Sequence, residues 1–157
     1  MRKYNIAVVG ATGMVGRKFL EVLTERNLPA DQYYLYASAR SAGHTIDFFG
    51  EPHTVIELKK ENIVDKKIDI ALFSAGGDIS KEYAPVFAEH GALVIDNSNA
   101  WRRDPNVPLI VPECNAEDIR KHHNIIANPN CSTIQAVVAL KPLHERFRIK
   151  RVVYTTY

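Results

Sequence analysis

The chain has 157 residues, 46% of them hydrophobic and 24% charged, enough to bury a core as one ordinary globular domain without a staple. Its 20 basic and 18 acidic residues leave a formal charge of +2 and form no basic stripe, which argues against nucleic acid as a partner. No apolar run reaches membrane-spanning length, and Cys114 and Cys131 lack the spacing of a disulfide framework or a zinc site. The start, Met1 to Asn5, runs straight into a first strand with no signal h-region, so the reading is a protein of the reducing cytoplasm.

Asn5-Ile6-Ala7-Val8-Val9 is an apolar run that ends in Gly10-Ala11-Thr12-Gly13-Met14-Val15-Gly16, after which Phe19, Leu20, Val22 and Leu23 recur at helical spacing. Strand, glycine turn and helix in that order suit a dinucleotide. Glycines let the backbone turn tightly and approach a pyrophosphate, whose charge rests on the helix's first amides. The helix should end at Asn27 to Ala30, and Tyr33 to Ala37 should be the second strand.

An NAD site wants an acid after that strand, but the residues here are Ser38-Ala39-Arg40-Ser41-Ala42-Gly43. Arg40 and Ser41 suit a 2′-phosphate, which favours NADP; the competing reading is a solvated loop arginine. Thr45 to Leu58 reads as a hairpin or pair of short strands around Glu51-Pro52. Ile68 to Phe73 is a buried-type strand closed by Ser74-Ala75-Gly76-Gly77, and a helix follows with Ile79, Tyr83, Val86 and Phe87 on one face. Ser74, Ala75 and Gly76 should line the cofactor cleft, because ligands of open α/β sheets bind beyond the strands' carboxyl ends. Ala92 to Ile95 is the next strand, and its loop, Asp96 to Pro105, holds Arg102 and Arg103. A short helix over Ala116 to His122, with Asn115 as cap, leads to a strand over Asn124 to Ala127.

The stretch Asn128-Pro129-Asn130-Cys131-Ser132-Thr133-Ile134-Gln135 then carries the proposed chemistry. A buried helix should open at Cys131 with Asn130 as its cap. The positive helix end favours a thiolate there, which makes Cys131 a candidate nucleophile; the alternative is a small packed residue in a strand-to-helix turn. Cys114 reads as a core residue, and the six histidines fall in turns or helix ends without a catalytic pattern. The β-α-β alternation implies a doubly wound, mostly parallel α/β sheet over residues 1 to about 130. Arg151 to Tyr157 reads as a strand under way with neither turn nor cap, as in a truncated chain.

Five stretches in register make the chain resemble the N-terminal half of the aspartate-β-semialdehyde dehydrogenases: Gly10 to Gly16, Ser38 to Gly43, Leu72 to Gly77, Val111-Pro112-Glu113 with Asn115, and Asn128 to Gln135. The resemblance implies a Rossmann NADP-binding domain over 1–130 and the truncated start of an α+β catalytic and dimerisation domain over 131–157. By the same resemblance Gly10, Thr12, Gly13, Met14 and Val15 take the cofactor phosphates and Arg40 and Ser41 the 2′-phosphate. Arg102, Asn130 and Asn99 contact the substrate phosphate, and Cys131 forms an acyl-thioester. The implied reaction is reversible NADPH-dependent reduction of aspartyl-β-phosphate to the semialdehyde and phosphate, a step toward lysine, threonine and methionine.

Asn99, Arg103 and Cys114 depart from the family's usual Ser, Met and aliphatic residue. The family's base histidine and carboxylate-binding arginine lie beyond Tyr157, so this chain alone is expected to be inactive, and the full-length protein is expected to be a homodimer or a tetramer of dimers. The alternatives are a reductase like the N-acetyl-glutamyl-phosphate enzyme and a non-catalytic nucleotide-binding module with Cys131 buried.

Overall fold

The computed structural model describes residues 3–28 and 30–156; the readings that fell on Met1, Arg2, Pro29 and Tyr157 lie outside the described residues. Strand β1 (Tyr4–Val9) leads to helix α1 (Met14–Arg26) and strand β2 (Ala30–Ala37). A hairpin of β3 (Thr45–Phe48) and β4 (Glu51–Thr54) precedes the short β5 (Ile56–Glu57) and α2 (Lys60–Val64). Then come β6 (Ile70–Phe73), α3 (Gly77–Glu89), β7 (Leu93–Asp96), α4 (Pro112–Asn115), a 3-10 turn (Ala116–Lys121), β8 (Ile125–Ala127) and α5 (Cys131–Phe147).

Among the described residues six strands pair in the order β5-β2-β1-β6-β7-β8, and each of these pairings is parallel. Their carboxyl ends therefore share one edge, and the chain reverses its direction of winding between β1 and β6. Alternate side chains of β1 build the two layers. Val8 faces Leu20 and Leu23 of α1 together with Leu35 and Phe48. Ala7 and Val9 face the opposite layer with Tyr36, Phe73, Phe87 and Ile63. Phe87 meets Phe73 and Tyr36 edge to face at ring separations of 5.3 and 5.7 Å, pairs that each contribute roughly 0.5–1.5 kcal/mol beyond area burial.

The sheet agrees with the expected doubly wound α/β class, while several local expectations are corrected. The hairpin turns at Phe49-Gly50, two residues before the expected Glu51-Pro52, because both residues take the positive φ (54° and 77°) that matches the strands' twist. Strand β5 instead leaves the hairpin and joins the main sheet, with Ala37 opposite Glu57. The helix expected over Ala116 to His122 begins one turn earlier at Pro112, a residue pre-set for a first turn, and continues as 3-10 turn. Asn115 does not cap that segment through its side chain; its Oδ1 accepts from the Val111 amide, 2.9 Å away.

Helix α5 opens at Cys131 as expected, but it contains no buried residue. Ile134, Ala136, Val137 and Leu140 are half-buried against α4, while Val138, Leu143 and Phe147 are exposed. Its apolar composition has too few described neighbours to cover it. Residues 151–156 are exposed and form no strand, since no neighbouring strand pairs with them among the described residues. Cys114 is half-buried rather than core, with its Sγ 3.6 Å from the Val137 carbonyl.

Candidate active site at the carboxyl edge of the sheet

The glycine turn is held by Tyr36, whose carbonyl accepts from the Gly10 and Ala11 amides at 2.9 and 3.1 Å. Gly10 has φ +88°, and a Cβ there would lie 2.6 Å from the Ser74 carbonyl oxygen. At Gly16 a Cβ would lie 2.0 Å from the Gly10 carbonyl oxygen, so α1 can sit this close to β1 only with glycine at that position. Gly13 is the N-cap and gives no side-chain cap, which leaves the first amides of α1 available to an anion. Thr12 is half-buried beside them, and Gly13, Met14 and Val15 are exposed.

A cleft of about 500 Å³ opens there between the β1, β2 and β6 ends. Gly10, Thr12, Gly13, Ser74 and Ala75 line it, as the sequence suggested for the cofactor. Gly76 caps α3 at φ +92° outside the lining. Arg40 is exposed and Ser41 half-buried in the turn after β2, where the Ser41 amide bonds the Ser38 carbonyl at 2.9 Å; neither lines the cleft itself.

Glu57, Leu58, Ile79, Glu82 and Tyr83 also line the cleft; the sequence placed Ile79 and Tyr83 on a helix face but pointed to none of the five as a cofactor contact. Glu57 stands one strand across from the place where an NAD site carries its acid, paired in register with Ala37, and its carboxylate meets Lys59 at 3.1 Å. A two-residue strand gives no periodic signal, so only the sheet order could have found it. Burial, with the neighbouring Glu82 carboxylate adding to it, pushes the Tyr83 hydroxyl above the usual tyrosine range.

Farther along the same edge, the loop after β7 meets the segment that follows β8. Arg102 donates from Nε to the Asn128 carbonyl at 2.8 Å and from Nη2 to the Asn97 carbonyl at 3.1 Å. Asn128 in turn donates from its amide to the Asp96 carbonyl at 2.8 Å. Arg102 is half-buried and Arg103 exposed. Asn99 is exposed, and its Oδ1 lies 2.6 Å from where a Cβ on Gly77 would stand, which places it against the start of α3.

Asn130 caps α5 by accepting from the Ser132 amide at 3.0 Å, and Cys131 is the exposed first residue of that helix. In this chain the turn leaves Cys131 exposed rather than packed. Tyr154 reaches back to donate to the Ser132 carbonyl at 2.7 Å. Among the described residues no three His, Cys, Asp or Glu side chains gather as a metal site would require. Of the histidines, the Nδ1 of His122 accepts from the Asn124 amide at 3.0 Å, and His90 pairs its Nδ1 with the Val86 carbonyl at 2.8 Å.

A strand, an uncapped glycine turn and a cleft between the arms of a doubly wound sheet describe a nucleotide domain, and residues 5–122 match the family model for the NAD binding domain of semialdehyde dehydrogenases. The chain belongs to that family. It is 62% identical over 156 residues to an aspartate-semialdehyde dehydrogenase of Aquifex aeolicus, covering 98% of this chain and 46% of that one. The structure of aspartate semialdehyde dehydrogenase II from Vibrio cholerae complexed with ASA aligns at TM-score 0.87 and 49% identity, over 92% of this chain and 47% of that one. The enzyme from Candida albicans with NADP aligns at TM-score 0.78 and 31% identity, over 92% and 47%. This semialdehyde dehydrogenase domain thus spans about half the length of the relatives it matches. Among its described residues no helix is long and apolar enough to cross a membrane.

Proposed function

We propose that this chain is the N-terminal portion of an NADP-dependent aspartate-β-semialdehyde dehydrogenase, with residues 1–130 as the dinucleotide domain and 131–157 as the start of the catalytic and dimerisation domain. The observation that carries the reading is one sheet edge that holds both an uncapped nucleotide cleft and an exposed Cys131 at a helix N-terminus. The exposed apolar side chains of α5, Val138, Leu143 and Phe147, suit a helix that the remainder of a longer protein covers, and that remainder would form the homodimer or tetramer of dimers.

The residues fit the cofactor. The amides of Gly13, Met14 and Val15 take the pyrophosphate, with Gly10 and Thr12 shaping the turn and Ser74 and Ala75 forming the facing wall. Arg40 and Ser41, just beyond the cleft, take the 2′-phosphate that distinguishes NADP from NAD. When bound, the nicotinamide ring supplies the hydride acceptor or donor.

Cys131 attacks the aldehyde carbon through its thiolate, and a proton goes to the new alkoxide, giving a hemithioacetal. With a nicotinamide bound as hydride acceptor, oxidation of that carbon, with release of the hydroxyl proton, would leave an acyl-thioester on Sγ. Phosphate oxygen then adds to the thioester carbonyl, the C–S bond breaks, and aspartyl-β-phosphate leaves as the thiolate re-forms. The biosynthetic direction, toward lysine, threonine and methionine, is the reverse, and a reducing cytoplasm keeps the thiol free. Arg102 has five N–H donors, two of which bond backbone carbonyls; the other three can grip phosphate. Asn130 offers its Nδ2 beside the thiol, and Asn99 offers a further amide from the loop.

The test is to supply this chain with the C-terminal half of the Aquifex relative and follow NADP reduction by semialdehyde. Turnover that requires phosphate, both halves and Cys131 supports the reading. Turnover by the chain alone at the rate of a full-length relative would refute its incompleteness. A thiol at Cys131 no more reactive than a model thiol would favour a non-catalytic nucleotide module instead.

A further inference from the structure

We propose that Asp96 and Ser98 are positioning residues for anion binding: the buried Asp96 carboxylate holds Ser98, and Ser98 fixes the loop that presents Arg102. The inference rests on the reading that Arg102 and Asn130 hold phosphate. Asp96 ends β7 in the middle of the chemistry-bearing edge and is fully buried. Its Oδ2 accepts from the Ser98 hydroxyl at 2.6 Å, a short contact. The same hydroxyl accepts from the Ala100 amide at 3.1 Å. Strand end, loop and the residue two before Arg102 are therefore tied through one oxygen atom.

Among the described residues the other carboxylate oxygen, Oδ1, is buried without a hydrogen-bond partner. A hydrophobic residue would fill that place at lower cost, so the stabilisation of the fold does not explain a carboxylate there. What Asp96 does for the loop explains it. The backbone of Asp96 also accepts from the Asn128 amide at 2.8 Å, and Asn97 accepts from both Arg102 and the Asn128 side chain, at 3.1 and 3.4 Å. One residue thus sets the loop bearing Arg102 and, through its carbonyl, the segment that bears Cys131. The indole of Trp101 closes the loop from the other side by donating to the buried Ser80 hydroxyl at 2.9 Å. With both ends fixed, the guanidinium has little freedom to lose when an anion arrives.

The experiment uses the 157-residue chain and inorganic phosphate. Cys131 is alkylated with iodoacetamide at rising phosphate, the modified cysteine is identified by peptide mass spectrometry, and NADP affinity is measured alongside. In the unaltered chain phosphate should slow alkylation of Cys131. Ser98→Ala should raise the phosphate concentration for half-protection about tenfold, while the unprotected rate and the NADP affinity stay within twofold. Asp96→Asn, whose amide oxygen still accepts from Ser98, should give a smaller rise. A Ser98→Ala half-protection point within twofold of the unaltered chain would overturn the proposal, as would equal losses of phosphate and NADP binding, which mean general loosening. Absence of protection in the unaltered chain would refute the phosphate site itself and the proposal with it.

Discussion

The Arg102 guanidinium donates to the Asn128 carbonyl at 2.8 Å, three residues before Cys131, so the arginine loop and the cysteine turn are one unit. A second bond to the Asn97 carbonyl at 3.1 Å fixes the plane of the guanidinium. Lysine cannot reproduce two bonds in a fixed fork and still offer donors to an anion. Arg102→Lys should therefore weaken phosphate protection of Cys131 at least tenfold, whereas the exposed Arg103→Ala should change it less than twofold. The measurement is the phosphate dependence of alkylation, and an equal effect at the two arginines would contradict the assignment.

The glycine turn yields a stability prediction. A Cβ at Gly16 would press to 2.0 Å from the Gly10 carbonyl, backbone that no side-chain rotation can move. Gly16→Ala should cost about 1–3 kcal/mol in urea unfolding, the range for overpacking a tight contact, and should abolish NADP binding. Gly43→Ala, with a positive φ but open space around its Cβ, should leave NADP binding intact.

The cap of α5 yields another. Asn130→Ala removes the acceptor of the Ser132 amide and should cost about 1 kcal/mol of stability, read by thermal unfolding. Alkylation in the unaltered chain should reach the exposed Cys131 well before Cys114, which is half-buried with its Sγ against the Val137 carbonyl. Mass mapping that finds Cys114 modified first would contradict this.

Tyr36 makes the fold sensitive to alkali. Burial, with nearby Tyr34 adding to it, raises its hydroxyl well above the ordinary value of 10.0. The unfolded chain therefore ionises first, and stability that is complete below about pH 10 is lost as pH rises beyond it, by up to ~1.4 kcal/mol per pH unit for this one group. Tyr36→Phe should flatten that alkaline decline. At neutral pH it should cost about 1 kcal/mol, because the hydroxyl donates to the Asn62 carbonyl at 2.9 Å. Urea unfolding across pH 8–11 checks both signs.

Much of this was legible in the sequence, for physical reasons that also set its limits. Short apolar runs such as Ile6 to Val9 and Ile70 to Phe73, each closed by a small-residue turn, read as buried parallel strands, and Gly10 and Asn130 announce a turn and a cap by residue type. Glu57 was not legible, because it reaches the cleft through a strand of two residues whose neighbour, Ala37, is twenty positions away. The network around Asp96 was equally hidden, since a carboxylate at a strand end looks like ordinary loop polarity until its burial is known. Helix α5 misled in the opposite way: its apolar residues indicate a buried helix, yet they are half-covered or exposed in this chain. The run from Arg151 to Thr156 has strand composition but no partner to pair with among the described residues.

The central claim, that Cys131 is the acylated nucleophile, is tested most directly by trapping the acyl group. The chain is combined with the C-terminal half of the Aquifex relative, mixed with semialdehyde and NADP in the absence of phosphate, quenched rapidly and mapped by mass spectrometry. Without phosphate to release it, an aspartyl group should accumulate on Cys131, with NADPH formed in equal amount. An adduct on Cys114, or NADPH formation that survives Cys131→Ala, would contradict the account.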